Sequence, residues 1–173
     1  MRILHAVTAP ETARAFLAGQ LSDLVDKGHD VHLVCSPGEA LASIDPRVRI
    51  HAVAMRREPQ AWRDALALMR LVRLVRRVRP EVTVVSTPKA GLLGQLAAVL
   101  AGVSVRIHSC RGLLYTPWMS SRRRALYRAT DRVTFGLAGR VLFNTRADLR
   151  LSVADGLCPV HKARWTGNGL DLQ

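Results

Sequence analysis

Short apolar runs and longer amphipathic segments alternate along the whole chain. In the middle of the chain, a β-branched run at residues 82–85 precedes a segment over 92–102 in which apolar residues recur every three or four positions. The first pattern predicts a strand that is buried on both faces, and the second predicts a helix. Ser86, Thr87 and Pro88 separate the two segments, so we expect a sharp turn between them.

The remaining pattern predicts six further strands and five further helices in strict alternation. The predicted strands cover residues 2–7, 31–35, 48–54, 103–109, 140–144 and 162–165, and the predicted helices cover 12–26, 39–43, 59–78, 122–138 and 145–154. Alternation at this spacing predicts an α/β fold with a Rossmann-like, open and mostly parallel sheet that is flanked by helices on both faces. We expect this domain to occupy residues 1–165.

The longest predicted helix, over residues 59–78, has an apolar face and a basic face. The face expected to pack on the core consists of Trp62, Ala65, Leu68, Met69, Val72 and Val75. The opposite face carries Arg63, Arg70, Arg73 and Arg77. Two interpretations of the basic face stay open: the solvated outside of a crossover helix, or a stripe that meets anionic lipid.

Composition and charge narrow the class of partner. The chain has 173 residues with 49% hydrophobic content, which suits one domain, and its net charge of +13 favours an anionic partner. Nucleic acid, anionic lipid and a phosphorylated substrate all fit that charge. Three widely spaced cysteines predict neither structural zinc nor a disulfide framework, so we expect a reducing, cytoplasmic compartment. No apolar run is long enough to predict a membrane span, and the first residues predict a strand rather than a signal peptide.

The ends of the predicted strands are the place to look for a site, because ligands of open α/β sheets bind at the carboxyl ends of strands. Thr87 and Lys89 occupy such a position, at the start of the helix over 92–102. The turn after the first strand lacks the GxGxxG pattern of a dinucleotide site, which argues against binding of NAD or FAD. No carboxylate pair for acid–base chemistry is identifiable, and the histidines fit strands or turns, although His108 lies at a strand end near Arg111.

An apolar loop and three consecutive arginines follow the strand over 103–109. The loop supplies candidates for insertion into a membrane interface, namely Leu113, Leu114, Tyr115 and Trp118, and Ser120 or Ser121 is expected to cap the next helix. Three cations in the first turn of that helix oppose its dipole, which favours an anionic neighbour. We expect Arg122, Arg123 and Arg124 to contact lipid head groups. The alternative is that the loop packs against its own domain or against a further domain.

Several short segments carry a resemblance to a known family. In chain order, they are residues 2–12, Gly28-His29-Asp30-Val31, Arg79-Pro80-Glu81-Val82, Thr87-Pro88-Lys89-Ala90-Gly91, Arg106-Ile107-His108, Arg111-Gly112-Leu113 and Gly167-Asn168-Gly169-Leu170-Asp171. In this order and spacing, they resemble the N-terminal, acceptor-side domain of a GT-B glycosyltransferase of the family 4 type. The resemblance spans essentially the whole chain and points to the members that build capsule, O-antigen or glycan-carrier lipids.

The resemblance implies transfer of a glycosyl group from a sugar nucleotide to a polyprenyl-diphosphate-linked acceptor. It places the protein at the cytoplasmic face of the inner membrane, as a peripheral protein on an anionic surface. It implies no cofactor and no metal, because the sugar nucleotide is itself a substrate. A second, C-terminal domain with an acidic ExxxxxxxE motif holds most of the donor in this family, and we expect that domain in cis or in trans. Residues 166–173 are then the start of the interdomain hinge, with Gly167, Asn168 and Gly169.

The resemblance also implies residues that bind substrate on the acceptor side. They are Thr8, Glu11, Thr87, Lys89, Arg111, Gly112 and Asn144. Many family members carry a histidine, thought to act in catalysis, where this chain has Arg111. An arginine does not deprotonate near neutral pH and cannot act as a general base, although its guanidinium can bind a diphosphate with two hydrogen bonds. No catalytic residue is therefore assigned.

The rival interpretation is a non-catalytic binding module. It takes two forms: one half of a split transferase whose donor domain is another chain, or a basic α/β domain that binds an anion or nucleic acid. Nucleic-acid binding calls for aromatic side chains among the basic ones. Only Tyr115, Trp118 and Tyr127 lie near the arginine cluster, so we expect no nucleic-acid partner.

Overall fold

The computed structural model describes residues 1–55, 60–116 and 118–167. The strands are β1 (Arg2–Ala6), β2 (Asp30–Cys35), β3 (Arg49–Ala52), β4 (Val82–Ser86), β5 (Val105–Cys110), β6 (Arg140–Phe143) and β7 (Ala163–Trp165). The helices are α1 (Pro10–Asp26), α2 (Ala61–Val78), α3 (Pro88–Leu100), α4 (Ser121–Leu137) and α5 (Arg146–Ala154), with a short 3-10 helix at Glu39–Ser43. They alternate along the chain as the sequence predicts.

The seven strands form one parallel sheet in the order β3-β2-β1-β4-β5-β6-β7. The predicted fold class, a Rossmann-like parallel sheet with helices on both faces, is confirmed. The chain runs outward from β1 to β3 and then crosses back to β4, so the direction of winding reverses between β1 and β4. Right-handed crossovers place α1 on one face of the sheet and α2 to α5 on the other.

Three groups of buried side chains hold the layers together. Under α1, Leu17 and Leu21 pack with strand residues such as Leu33. On the opposite face, α2 and α3 cover β1 and β4, and α4 packs Phe135 against Val141 and Phe143 of β6. The core is aliphatic except around Phe135, as the low aromatic content of 5% requires.

Helix α3 lies unusually close to the sheet, at two glycines. A Cβ on Gly94 would stand 2.7 Å from Cγ1 of Val85, and a Cβ on Gly91 would stand 2.6 Å from Cε1 of His108. Real Cβ atoms essentially never come this close to another atom, so a larger residue at either position would force the helix or these side chains to shift. Bare backbone at Gly91 and Gly94 therefore lets this helix approach the sheet.

Gly94→Ala is expected to destabilise the fold by about 1 kcal/mol net. Overpacking a tight core costs about 1–3 kcal/mol, and the better helix propensity of alanine returns up to about 1 kcal/mol. Gly19→Ala in α1 is the control, since a Cβ there meets nothing within 4 Å, and it is expected to stabilise. Urea unfolding of both variants tests the pair. Equal effects of the two substitutions would contradict the close packing of α3.

The buried face of α2 differs from the predicted one. Of the predicted face, Val75 is buried, Leu68 and Val72 are half-buried and pack on the core, and Trp62, Ala65 and Met69 are exposed. The helix also buries Ala67, Leu71 and Val78. An aliphatic stripe through Leu71 is as continuous as the one through Trp62, so the apolar pattern alone does not decide between two rotations of the helix. The ion pair between Asp64 and Lys89 of α3 lies on the Leu71 side and holds this rotation. The predicted first residue, 59, lies outside the described residues.

Two further findings concern the start of the helices and their length. Helices α1 and α3 begin earlier than predicted, at Pro10 and Pro88, because proline suits the first turn of a helix. Within the described part of the chain, no helix combines the length and apolarity needed to cross a bilayer.

Candidate functional site

A pocket of about 320 Å³ opens at the carboxyl edge of the sheet, where the winding direction reverses. Its walls come from the β1–α1 turn, the β4–α3 turn and the loop after β5. The lining residues are Thr8, Ala9, Thr12, Thr87, Pro88, Lys89 and Leu114. Open α/β folds bind their ligands at this topological position, so we call it the switch-point pocket.

A pair of threonines joins the two turns that form the pocket. The Oγ1 atoms of Thr8 and Thr87 lie 2.7 Å apart, and the backbone N–H of Thr8 donates to Oγ1 of Thr87 at 3.2 Å. Oγ1 of Thr8 also accepts from the backbone N–H of Ala90 at 3.3 Å. The β1–α1 turn and the start of α3 therefore hold each other in place through side-chain hydroxyls.

Thr87 has a strained backbone. Its φ is +68° and its ψ is 148°, a region that a β-branched residue rarely adopts. Strain of this kind costs about 1–3 kcal/mol and persists only where surrounding contacts enforce it, most often at ligand sites. Here the hydrogen bonds to Thr8 enforce it, and the result is a turn that starts α3 directly at the pocket floor.

Lys89 lines the pocket as the sequence predicts, but its ammonium group is paired with the carboxylate of Asp64. Its Nζ lies 2.8 Å from Oδ1 and 3.1 Å from Oδ2 of Asp64, and both side chains are largely buried. Asp64 also accepts from the backbone N–H of Gln60 at 3.0 Å, which fixes the start of α2. Asp64 was missed in the sequence, although it is the single acid in the arginine-rich helix α2.

Arg111 does not line the pocket and instead turns towards α1. Its guanidinium stacks over the Phe16 ring at 4.9 Å, and Nη2 lies 3.5 Å from the Phe16 carbonyl oxygen. Its Nε is buried without a hydrogen-bond partner. Burial, together with the charge of Arg111, lowers the pKa of His5 to about 4. Arg111 is thus near the pocket edge, on the α1 side of the sheet.

His108 is a core residue. Its ring contacts Phe135 at a centroid distance of 5.3 Å, and burial lowers its pKa to about 4. The ring is 4% exposed, which leaves it neutral and away from solvent at physiological pH. The interpretation of this histidine as structural is therefore correct, and its position at a strand end does not make it a base.

Three other predicted substrate-binding residues stand outside the pocket lining. Glu11 is exposed in the first turn of α1, and Gly112 is exposed with φ of 149°. Asn144 follows β6, two strands beyond β4, and its backbone N–H donates to the Cys110 carbonyl at 3.3 Å. The structure thus gathers Thr8, Thr87 and Lys89 at one point and leaves Glu11, Gly112 and Asn144 around it.

The apolar loop after β5 turns half of its side chains inward. Trp118 is 90% exposed and Leu114 is 45% exposed, as expected for membrane-facing residues. Leu113 packs against the buried cluster around Phe135, and the Tyr115 hydroxyl donates to Asp155 at 3.1 Å. Leu113 and Tyr115 are thus half-buried, with core packing and the Asp155 carboxylate drawing them inward, and their membrane-facing role stays a prediction.

A second pocket, of about 520 Å³, lies between α4, α5 and this loop. It is lined by Tyr115, Thr116, Ser121, Arg124, Ala125, Arg128, Leu151 and Asp155. Arg128 forms an ion pair with Asp155, so the pocket is held by opposite charges. Arg124 is half-buried here, whereas Arg122 and Arg123 are exposed. Ser120 precedes α4, but its side chain makes no capping hydrogen bond, contrary to expectation.

The predicted hinge is described only at its first residue. Gly167 has φ of +73°, a backbone conformation that glycine adopts without strain. Asn168 and Gly169 lie outside the described residues, so the hinge assignment remains a prediction.

Comparison with known proteins identifies relatives in glycan synthesis. The family described as glycosyl transferase 4-like domain matches residues 12–169. The capsular polysaccharide biosynthesis glycosyltransferase CapM of Staphylococcus aureus is 33% identical over 112 residues, which are 65% of this chain and 29% of CapM. The UDP-Gal:alpha-D-GlcNAc-diphosphoundecaprenol alpha-1,3-galactosyltransferase of Escherichia coli is 22% identical over 152 residues, which are 87% of this chain and 39% of that enzyme.

The fold of the chain also agrees with that of a solved structure. The Anabaena protein HepE, solved with UDP and glucose, superposes with a TM-score of 0.74 at 16% identity, over 99% of this chain and 45% of HepE. The chain therefore spans less than half the length of each of these three proteins, and its sheet corresponds to one Rossmann-like half of a GT-B fold. With the family match over residues 12–169, these findings show that the chain belongs to the glycosyl transferase 4-like domain family.

Proposed function

We propose that this chain is the acceptor-binding part of a glycosyltransferase of cell-surface polysaccharide synthesis. The whole enzyme moves a glycosyl group from a sugar nucleotide to an acceptor linked to a polyprenyl diphosphate. The observation that carries the proposal is the switch-point pocket, where Lys89 stands beside the apolar side chains of Pro88 and Leu114. The name of the Escherichia coli relative specifies a diphosphoundecaprenol-linked acceptor, which supports this class.

The pocket has the chemistry that a lipid-linked diphosphate requires. The amino terminus of α3 and the Lys89 ammonium both favour an anion at the pocket floor. The hydroxyls of Thr8, Thr12 and Thr87 offer hydrogen bonds to phosphate or sugar oxygens, and Leu114 is half-exposed at the mouth. A charge-assisted hydrogen bond of this kind contributes roughly 1.5–3 kcal/mol. Diphosphate inside and lipid outside is the orientation that these side chains favour.

In the proposed reaction, an acceptor hydroxyl attacks the anomeric carbon of the sugar nucleotide. The new glycosidic bond forms, the bond from the anomeric carbon to the diphosphate oxygen breaks, and the hydroxyl proton is released. We assign the reaction to the retaining, metal-independent class without a cofactor. This chain contributes binding and orientation of the acceptor, which turns a bimolecular encounter into a positioned one. His5 and His108 are buried, so neither supplies the base.

The remaining parts of the assignment concern the surroundings of the chain. The donor domain is a partner in cis or in trans and holds most of the sugar nucleotide. The site of action is the cytoplasmic face of the inner membrane, with the protein bound peripherally. Exposed Leu114 and Trp118, together with Arg122 and Arg123, support contact with an anionic surface near the pocket mouth.

Transfer by the native-length protein tests the proposal. Radiolabelled sugar nucleotides are supplied with polyprenyl-diphosphate-linked sugars, and the control acceptor is the same sugar with a short alcohol in place of the diphosphate lipid. We expect labelled product with the diphosphate-linked acceptor and at least a tenfold loss with the control. Equal use of both acceptors would contradict a diphosphate site. Tight acceptor binding without any product would favour a non-catalytic binding module.

A further inference from the structure

The outer side of α2 carries apolar side chains that the fold leaves uncovered. Trp62 is 64% exposed, Leu66 is 38% exposed and Met69 is 48% exposed. At 100° per residue, these three positions fall within about 60° of one another on the helix surface. The Arg63 guanidinium stacks on the Trp62 ring at 4.9 Å. Three large apolar residues thus form a short stripe in the first half of the helix.

The second half of the same side is cationic. Arg70, Arg73, Arg76 and Arg77 are all exposed. With a rise of 1.5 Å per residue, Arg73 lies about 10 Å beyond Leu66 along the axis. Asp64, the single acid of the helix, turns inward to Lys89 and leaves this side without negative charge. The outer side of α2 is therefore apolar near the amino terminus and basic towards the carboxyl terminus.

The apolar half lies at the edge of the sheet that carries the switch-point pocket. Helix α2 runs from the carboxyl end of β3 to the amino end of β4, so its amino terminus is at the carboxyl edge. Leu114 and Trp118 lie in the loop after β5, at the same edge. Helix α3 packs between α2 and α4, which places the two apolar groups on opposite sides of the start of α3.

We propose that this side of α2 docks on an anionic lipid bilayer. Trp62, Leu66 and Met69 enter the interface, and the arginines from Arg70 to Arg77 contact head-group phosphates further along the axis, with Arg73 about 10 Å beyond Leu66. The order of apolar and basic residues along the axis fits a helix that enters obliquely, with its amino terminus deepest. We call Trp62, Leu66, Met69 and the four following arginines the α2 docking surface.

Charge selects lipid over a protein partner as the occupant. A protein interface of this basicity requires matching acids on the partner. On a bilayer with anionic lipid, each arginine near the surface instead raises the partition coefficient of the protein about fivefold. Amphipathic helices at membrane interfaces combine a Trp- and Leu-bearing face with arginines in the same way. The α2 docking surface does not depend on the proposed function. One consequence rests on that function: a docked protein would turn its pocket mouth towards the bilayer that carries the acceptor lipid.

Vesicle flotation of the native-length protein tests the surface. The vesicles contain 70% phosphatidylcholine and 30% phosphatidylglycerol, or phosphatidylcholine alone. We expect flotation with the anionic vesicles and at least tenfold less with the neutral ones. Leu66→Ser with Met69→Ser should lower partitioning about tenfold at every salt concentration. Arg70→Glu with Arg73→Glu should act mainly at low salt, because salt screens charge over about 8 Å at physiological ionic strength.

Matched controls lie at the opposite edge of the sheet. Val160 is 70% exposed just before β7, and Arg140 is exposed at the start of β6. Val160→Ser and Arg140→Glu should leave flotation unchanged. Equal losses in these controls, or no flotation of the wild type with anionic vesicles, would overturn the proposal.

Depth is measured with brominated lipid in a native-length protein in which Trp118, Trp165 and every tryptophan outside residues 1–173 are replaced by phenylalanine, so that Trp62 alone remains. Bromine on the acyl chains should quench Trp62 emission, and bound protein without such quenching would place another surface on the bilayer.

Transfer to acceptor in detergent micelles separates this proposal from the proposed function. The Leu66 and Met69 variants should keep the wild-type rate there. Loss of all transfer in the wild type would remove the proposed function and leave the vesicle results standing.

Discussion

Lys89→Met is expected to lower kcat/KM for the lipid-linked acceptor about a hundredfold in the native-length protein. The substitution removes a charge-assisted contact to the diphosphate, which is equivalent to roughly 1.5–3 kcal/mol. It also leaves the Asp64 carboxylate, now 2.8 Å from Nζ of Lys89, without its cation at the pocket wall. An unneutralised carboxylate repels the diphosphate, so the loss lies at the upper end of that range. Donor binding should change little.

Removal of the Asp64 charge should restore part of this loss. Lys89→Met with Asp64→Asn is expected to be about tenfold more active than Lys89→Met alone, because the repulsive carboxylate is gone. Lys27→Met is the control, since Lys27 is exposed at the end of α1, at the other edge of the sheet. Steady-state kinetics with varied acceptor make the measurement. Normal acceptor kinetics of a folded Lys89→Met variant would show that the pocket does not bind the diphosphate.

Loss of stability in mild acid should depend on two buried histidines. Burial lowers the pKa of His5 and of His108 to about 4, from 6.5 in the unfolded chain. A histidine with a lowered pKa binds its proton more readily in the unfolded state. Stability is therefore complete above pH 6.5 and falls as the pH drops towards 4. Between pH 7 and pH 5, each histidine contributes a loss of about 2 kcal/mol, or about 4 kcal/mol together.

His5→Leu with His108→Leu should remove this decline. Both ring nitrogens of His5 and Nδ1 of His108 are buried without a partner, so an apolar side chain of similar size gives up little hydrogen bonding. Asp131 acts in the opposite sense, because burial raises the pKa of its carboxyl group from 3.8 to about 7. Ionisation of this buried carboxyl group therefore destabilises the fold increasingly as the pH rises above 3.8. Asp131→Asn should therefore steepen the loss on acidification. Urea unfolding at pH 5 and pH 7 checks both effects, and an unchanged pH dependence in the double variant would contradict the histidine account.

The elements of the fold were predictable because their periodicities are strong. The β-branched run before Thr87 and the helical spacing after Leu92 identify β4 and α3, with boundaries within a few residues of the structure. Alternation of strands and helices then leads to a parallel sheet. The order of the strands was not predicted, since the crossover from β3 back to β4 depends on which faces pack and not on local pattern.

The rotation of α2 shows where periodicity stops being sufficient. Two apolar stripes on this helix are equally continuous, and the predicted face was the one with Trp62 and Met69. The structure buries the stripe through Leu71, which the contact between Asp64 and Lys89 supports. A contact between side chains 25 residues apart is invisible to any local pattern. The exposed stripe that results is the basis of the α2 docking surface.

The site was predictable in outline but not in its contacts. Strand ends identified Thr87 and Lys89, the family resemblance added Thr8, and the structure gathers all three in one pocket. The hydroxyl pair between Thr8 and Thr87 joins residues 79 apart in the chain, and the inward turn of Tyr115 depends on Asp155 of a distant helix end. Each of these contacts needs the order of the strands first. Arg111 was placed correctly at a strand end, but its stacking on Phe16 requires the position of α1.

The most direct test of the acceptor-binding account is photocrosslinking of an acceptor analogue to the native-length protein. The analogue carries a diazirine on the first isoprene unit beside the diphosphate, and labelled peptides are identified by mass spectrometry. The account predicts labelling of residues 8–12, of residues 87–89 and of Leu114, with competition by unlabelled acceptor. Competable labelling confined to the second pocket, at Arg124, Arg128 or Leu151, would contradict it.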